Sequence, residues 1–282
     1  MSSAHRYVVL DVFTDTPLEG NQLAVFPEAP GWTKLQMQRL ARELNLSETV
    51  FVLGAKHGGD ARIRIFTPAA ELPFAGHPVL GTAVVVGIER KLAQVTLETG
   101  SGPVAVALGD AHERGAYGTM SQPIPSWQPY ECEAELLAAL DVKGSGLPVE
   151  VYVNGPRHVY VELADEPAVA ALAPDSRALG ELGELCVSCF AGADDSWKTR
   201  MFAPGLGVSE DPATGSAAGP LAVHLARHAR IAFGQQIEIR QGIEVGRPSL
   251  LRARAVGSAD ALERVEVGGS AVIVARGEFV LG

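Results

Sequence analysis

Residues 71–83 read ELPFAGHPVLGTA and residues 210–222 read EDPATGSAAGPLA. In both, a proline-containing polar turn runs through a glycine, Gly76 or Gly215, into an apolar, small-residue segment. The first segment continues through Val79, Leu80, Ala83, Val84, Val85, Val86 and Ile88. It is shorter than the roughly 20 apolar residues that span a bilayer. A helix that is apolar nearly all round must be wrapped by other structure. The second segment predicts a like helix over 215–230.

The surroundings of the two turns match as well. FTPAAELPFAGH and FAPGLGVSEDPATGS align as a Phe-x-Pro strand end followed by ExPxxG and a polar residue, His77 in one copy and Ser216 in the other. A second register, pairing His77-Pro78-x-x-Gly81-Thr82 with Asp211-Pro212-x-x-Gly215-Ser216, scores too, and the sequence does not choose between them. Either register makes the chain two copies of one unit.

Short β-branched runs fill the rest: 7–13, 23–26, 49–53, 61–66, 95–99 and 104–108, then 149–153, 158–163, 185–190, 237–240, 250–256 and 271–280. A helix is expected over 34–45, where Thr33 and Gln36 have capping-box spacing and Met37, Leu40, Ala41 and Leu44 share a face. The Pro-rich connection SQPIPSWQPY (121–130) separates the halves. The expected fold is therefore α+β, with two pseudo-symmetric domains, 1–125 and 126–282. In each, the strands are expected to curl round one buried helix.

At 282 residues and 47% hydrophobic content the chain can bury a large core. Its net charge of -10 and lack of a Lys/Arg run argue against nucleic acid as a partner. The N-terminus has no basic region ahead of an apolar run, and no window suits a membrane span, so a cytoplasmic protein is expected. Cys132, Cys186 and Cys189 are too scattered for a disulfide scaffold. Cys186-Val-Ser-Cys189 lacks a second pair and reads as buried strand thiols rather than a zinc or redox site.

A glycine-led helix start leaves backbone N–H groups unpaired at the positive end of the helix dipole, where a carboxylate is the natural guest. If the halves face each other, both starts point into one cleft. For one turn alone, tight packing would explain the glycines; two such turns, each with polar residues, point to binding. The best candidate for acid-base work is Glu48 in NLSETVFVL, between a helix end and an apolar strand. A carboxylate at such a border suits a group that takes and returns a proton near neutrality. His77 and Asp211 are candidates to orient a ligand amine or hydroxyl.

Three other patterns carry less. His77, Asp211 and Ser216 have the composition of a hydrolytic triad, but no GxSxG elbow is present, and Ser216 reads as an anion donor. His224 and His228 stand four apart in HLARH without the glutamate of HExxH, and an exposed helix face is expected there. Gly205-Leu-Gly207 lacks the third glycine of a dinucleotide site.

Several stretches then closely resemble the PhzF family of phenazine-pathway isomerases, which share the diaminopimelate epimerase-like fold. They are HRYVVLDVF, MQRLARELNLSETVFVL, DARIRIFTP, ELPFAGHP, NGPRHVYV, CFAGA, ATGSAAGPLA and GQQIEIRQGIEVGRPS, running nearly end to end. One departure is Gly20-Asn21-Gln22, where members usually have Gly-Asn-Pro. The resemblance implies that each domain is a mostly antiparallel, barrel-like sheet wrapped around a central helix, with a last strand able to cross to the N-terminal domain, and that the protein is a homodimer with no metal and no organic cofactor. It implies as substrate a small anion, trans-2,3-dihydro-3-hydroxyanthranilic acid. In that reading Glu48 moves a proton from C3 to C1. Gly76, His77, Gly215 and Ser216 hold the carboxylate and ring substituents, Asp211 accepts from the amine or hydroxyl, and Ser47 is a further contact. The related two-thiol racemases would need cysteine where Ala75 and Thr214 stand, so that chemistry is disfavoured. A carboxylate-binding protein without turnover is the rival from another class.

Overall fold

The computed structural model describes residues 3–29, 31–109 and 111–281. It divides into two compact units, Met1–Ser121 with Gly268–Gly282, and Gln122–Val267.

The first unit contains β1 (Ser3–Val12), β2 (Asn21–Phe26), α1 (Lys34–Leu44), β3 (Glu48–Leu53), β4 (Ala61–Phe66), β5 (Glu71–Leu72), α2 (Gly76–Arg90), β6 (Gln94–Thr99), β7 (Gly102–Leu108) and β8 (Gly115–Gln122). β1 and β2 are antiparallel, β2 and β3 parallel, β3 and β4 antiparallel, β4 and β6 parallel, and β6, β7 and β8 antiparallel in turn. The chain's last strand (Leu262–Leu281) pairs with both β1 and β8 and closes the ring, giving an eight-stranded barrel.

Inside it runs α2, with every residue from Gly76 to Gly87 buried. Alternation along β3 sends Val50 and Val52 to one face and Phe51 to the other. On the Phe51 side, α1 lays Met37, Leu40 and Ala41 over Phe26, Phe51 and Phe66. The Phe26 and Phe51 rings stack 5.0 Å apart. The capping box expected at Thr33 and Gln36 is present in both directions.

The second unit follows with β9 (Ser126–Pro129), α3 (Glu133–Ala139), β10 (Glu150–Val153), β11 (Arg157–Glu162), α4 (Glu166–Ala170), α5 (Ser176–Glu181), β12 (Cys186–Ala193), β13 (Ser196–Ala203), β14 (Val208–Asp211), α6 (Gly215–Arg227), β15 (Gln236–Gln241), β16 (Ser249–Gly257) and the start of the last strand, β17 (Leu262–Leu281). Its pairings repeat those of the first unit in order and sense. β10 and β11 are antiparallel, β11 and β12 parallel, β12 and β13 antiparallel, β13 and β15 parallel, and β15 and β16 antiparallel. In each unit a short strand folds back on the fourth strand of this series and leads into the buried helix: β5 before α2, β14 before α6.

This correspondence settles the register of the repeat. Arg64 on β4 holds Glu71 through two hydrogen bonds of 2.6 and 2.8 Å, and Arg200 on β13 holds Glu210 through two of 2.9 and 2.7 Å. Each arginine also lies over a phenylalanine two residues on, Phe66 or Phe202. Glu71 therefore matches Glu210, Pro73 matches Pro212, Gly76 matches Gly215 and His77 matches Ser216. The alternative register would equate Gly215, the first residue of α6, with Gly81 in the second turn of α2.

Cys186 and Cys189 are buried on β12, as expected of strand thiols. Burial pushes the Cys189 thiol up to about 12, which makes it a poor nucleophile. His158, on the neighbouring β11, is fully buried, and neither ring nitrogen has a hydrogen-bond partner among the described residues. Desolvation pushes its pKa down to about 3. Below pH 6.5 the unfolded chain therefore takes up a proton at this site that the folded chain refuses until about pH 3. Stability drains away as pH falls through that window, at about 1.4 kcal/mol per pH unit. Between pH 6.5 and 5 wild type should lose about 2 kcal/mol more than His158→Leu, read from denaturant midpoints at the two pH values.

Candidate active site

In the first unit the candidate residues gather at one end of α2. Gly20, with φ of +66°, lets the chain turn beside Val12, where a Cβ would come within 2.5 Å of the Val12 carbonyl oxygen. The turn delivers Asn21 to the first position of β2, fully buried. Helix α1 ends at Asn45 in the left-handed conformation, and after Leu46 and half-buried Ser47 the chain enters β3 at Glu48, opposite Leu23 of β2. Helix α2 begins at Gly76 with no side-chain cap on Ala75, so its opening N–H groups lack a partner within the helix.

His77 joins these pieces. Its Nδ1 lies 3.4 Å from Asn21 Nδ2, and its Nε2 lies 3.0 Å from Glu48 Oε2. With Asn21 Nδ2 as the donor to Nδ1, the ring proton falls on Nε2, the atom that faces the carboxylate. The Glu48–His77 approach is close but poorly aligned for a hydrogen bond. Both side chains are largely shielded, His77 5% exposed and Glu48 14%. Gln22 is exposed on β2, opposite Asp11.

The remaining candidates, Asp211, Gly215 and Ser216, belong to the second unit. Asp211 ends β14, and its Oδ2 accepts a 2.5 Å hydrogen bond from the Thr214 hydroxyl, across the turn that starts α6. Three buried side chains grip the first carbonyls of that helix. Gln122 donates to Gly215 O at 2.8 Å, Asn154 to Ser216 O at 2.9 Å and Tyr160 to Ala217 O at 2.6 Å. The middle bond has a clear cause. The residue four positions after Ser216 is Pro220, which has no N–H to give. Asn154 supplies the missing donor, and the helix keeps a proline in its second turn.

The sequence pattern did not single out Gln122, Asn154, Tyr160 or Thr214 as site residues, and it marked Asn21 only as the neighbour of Gln22. One signal was available: Pro220 implies an orphaned carbonyl at Ser216 and hence a donor from elsewhere.

The expectation of an exposed HLARH face is overturned. His224 is fully buried, and His228 is half-buried. Glu150 is the reason: its Oε2 takes the Tyr152 hydroxyl at 2.9 Å, Arg227 at 2.6 Å, His228 Nε2 at 3.1 Å and His224 Nδ1 at 3.3 Å. A carboxylate fed by that many donors stays ionised well below the usual range, although burial opposes it. Burial, in turn, lowers the pKa of His224. Glu150, His224 and His228 have the spacing of metal ligands. Arg227 already supplies the cation at the shared oxygen, so the set reads as a structural charge cluster.

A helix held inside a barrel-like sheet, built twice, with a carboxylate set against one helix start, defines the diaminopimelate epimerase-like class of α+β proteins. The chain belongs to the PhzC-PhzF family, described as phenazine biosynthesis-like protein, which it matches over residues 10–277. A trans-2,3-dihydro-3-hydroxyanthranilate isomerase of Pseudomonas chlororaphis is 54% identical over 277 residues, covering 98% of this chain and 100% of that one. Among solved structures, a protein from Pseudomonas aeruginosa described as a predicted epimerase aligns with a TM-score of 0.83 at 32% identity, covering 99% of this chain and all of that one. A phenazine biosynthesis protein of the PhzF family from Bacillus anthracis aligns at 0.86 over 99% and 100% of the two chains, at 24% identity, and so shares the fold. No helix among the described residues is long and apolar enough to cross a membrane.

Proposed function

We propose that this protein is a trans-2,3-dihydro-3-hydroxyanthranilate isomerase of phenazine biosynthesis, yielding 6-amino-5-oxocyclohex-2-ene-1-carboxylic acid. The observation that carries the reading is the shielded Glu48 carboxylate 3.0 Å from His77 at the open start of α2. The 54% identical relative, matched end to end, supplies the substrate class.

In this reading Glu48 takes the proton from C3. The released electron pair moves into the ring diene, shifting its double bonds, until C1, beside the carboxyl group, becomes basic. Glu48 returns the proton there, and the resulting enol becomes the ketone. Conjugation with the carboxylate spreads the developing charge, so the step asks for no cofactor. A carboxylate at the start of α2 is favoured by the helix dipole and by N–H groups in want of acceptors. His77 holds Glu48 in place, with Ser47 and Gly76 beside it. Asp211, Gly215 and Ser216 supply further contacts to the substrate. The protein acts as a homodimer in the cytoplasm, on a small anion.

Purified protein should convert the dihydrohydroxyanthranilate with no added metal or cofactor, followed by loss of the diene absorbance. Binding without turnover would reduce the protein to a carboxylate binder.

A further inference from the structure

Beneath the Asp211 turn lies a residue that no part of the proposed reaction uses. Gln241, the last residue of β15, is 3% exposed, and every hydrogen-bonding position of its amide is filled. Its Nε2 donates to Asp211 O at 2.8 Å and to Thr214 Oγ1 at 2.9 Å. Its Oε1 accepts from Thr214 N at 3.2 Å and from Thr199 Oγ1 at 3.3 Å. The chain next to it is pressed against the same turn. Gly242 has φ of +78°, and a Cβ there would lie 2.4 Å from Pro212 O.

Two of these partners can act in one sense only. A backbone carbonyl only accepts and a backbone N–H only donates. Asp211 O and Thr214 N therefore fix which end of the Gln241 amide is nitrogen. With Nε2 donating to it, the Thr214 hydroxyl must send its own proton elsewhere, and its other close partner is Asp211 Oδ2 at 2.5 Å. The proton order runs one way, from amide to hydroxyl to carboxylate.

We propose that Gln241 is a positioning residue for the isomerase reaction: through Thr214 it dictates the direction of the hydrogen bond to Asp211 and so holds that carboxylate oriented and accepting. The inference rests on the reading that Asp211 contacts substrate. It also accounts for threonine at position 214, since a thiol would be a far weaker donor to the carboxylate.

The test compares kcat and KM for Gln241→Glu, Thr214→Val, Thr214→Ser, the double variant Gln241→Glu/Thr214→Val, and Asp211→Ala. Glutamate is the same size as glutamine but offers an acceptor where Nε2 donated, so the Thr214 proton turns toward it and away from Asp211. Both Gln241→Glu and Thr214→Val should lower kcat/KM by roughly 10- to 100-fold, the range for a hydrogen bond to a charged group. The double variant should be no worse than either single one, because both remove one interaction. Thr214→Ser, which keeps the hydroxyl, should restore turnover to within about threefold of wild type. If Gln241→Glu fails to fold, Gln241→Met, which removes the Nε2 donor without adding a charge, takes its place in the comparison.

The proposal is overturned if Asp211→Ala loses turnover while the Gln241 variant or Thr214→Val keeps it, or if the two single losses multiply in the double variant. Full turnover by Asp211→Ala would instead overturn the assignment of Asp211 to the substrate.

Discussion

Glu48→Gln should lower kcat by about 10³-fold or more while leaving binding of the stable aromatic analogue 3-hydroxyanthranilate within about threefold of wild type, because general acid-base groups contribute about 10²- to 10⁴-fold and this one serves both halves of the proton shift. The amide fills the same volume and still faces His77 Nε2, which is 3.0 Å from the native carboxylate. Removing the acid-base function without moving the site separates an isomerase from a binder. Binding titrated by calorimetry and turnover measured on the same sample give the two numbers. A variant that turns over normally would remove Glu48 from the mechanism.

The second large effect concerns stability, and it uses the repeat as its own control. Arg200 and Glu210 are 9% and 11% exposed, and Arg200 also donates to the carbonyls of Val169, Ala170 and Leu172. Removing one member of a buried pair strands the other charge, at a cost of about 3–5 kcal/mol, so Arg200→Met and Glu210→Leu should each unfold at much lower denaturant. The double variant should recover part of the loss, since neither charge is then left alone. The matching pair in the first unit is wetter: Arg64 and Glu71 are both 23% exposed. Arg64, with help from Lys34, holds the Glu71 carboxyl below its ordinary value. Even so, Glu71→Gln should cost only about 1 kcal/mol, as at exposed ion pairs, because water screens what remains. Equal losses at the two pairs would show that burial does not set their worth.

Much of this fold was legible in the sequence. The capping box at Thr33 and Gln36, the apolar run after Gly76 and the doubled ExPxxG turn are local patterns, and local patterns survive into structure where side chains decide them. The strand β13, SWKTRMFA, was foreseen only at its Phe-x-Pro end. It is interior to the sheet and buried, but it carries Lys198 and Arg200, whose charges are met by Glu244 and Glu210 from other parts of the chain. Hydrophobic periodicity cannot register a core position that is built from a paired charge. The strand β8, GAYGTMSQ, with its glycines and lack of a β-branched run, escaped for a related reason: its place is fixed by partners on both sides.

The candidate site divides in the same way. Glu48 and His77 stand 29 positions apart in the sequence, and the parallel pairing of β2 with β3 brings Glu48 to the end of the buried helix. The turn motif revealed His77 and the helix end revealed Glu48. Their contact follows from the barrel. Asn21, Asn154 and Gln241 act by hydrogen bonds to atoms far along the chain, and Thr214, though its acceptor Asp211 is near, takes its direction from Gln241; nothing in their immediate neighbours announces it. His224 misled for the converse reason. HLARH looks solvated by composition, yet Glu150, 74 residues earlier, draws its charged and polar groups into the interior.

In the proposed reaction one carboxylate, Glu48, carries a proton from C3 to C1 within a shielded site. Proton NMR of the reaction in deuterated water tests it most directly. Product should form without added cofactor and carry substantial protium at C1 in the first turnovers, and Glu48→Gln should show no such transfer. Complete deuteration of C1 from the first turnover, or an unchanged shift in Glu48→Gln, would contradict it.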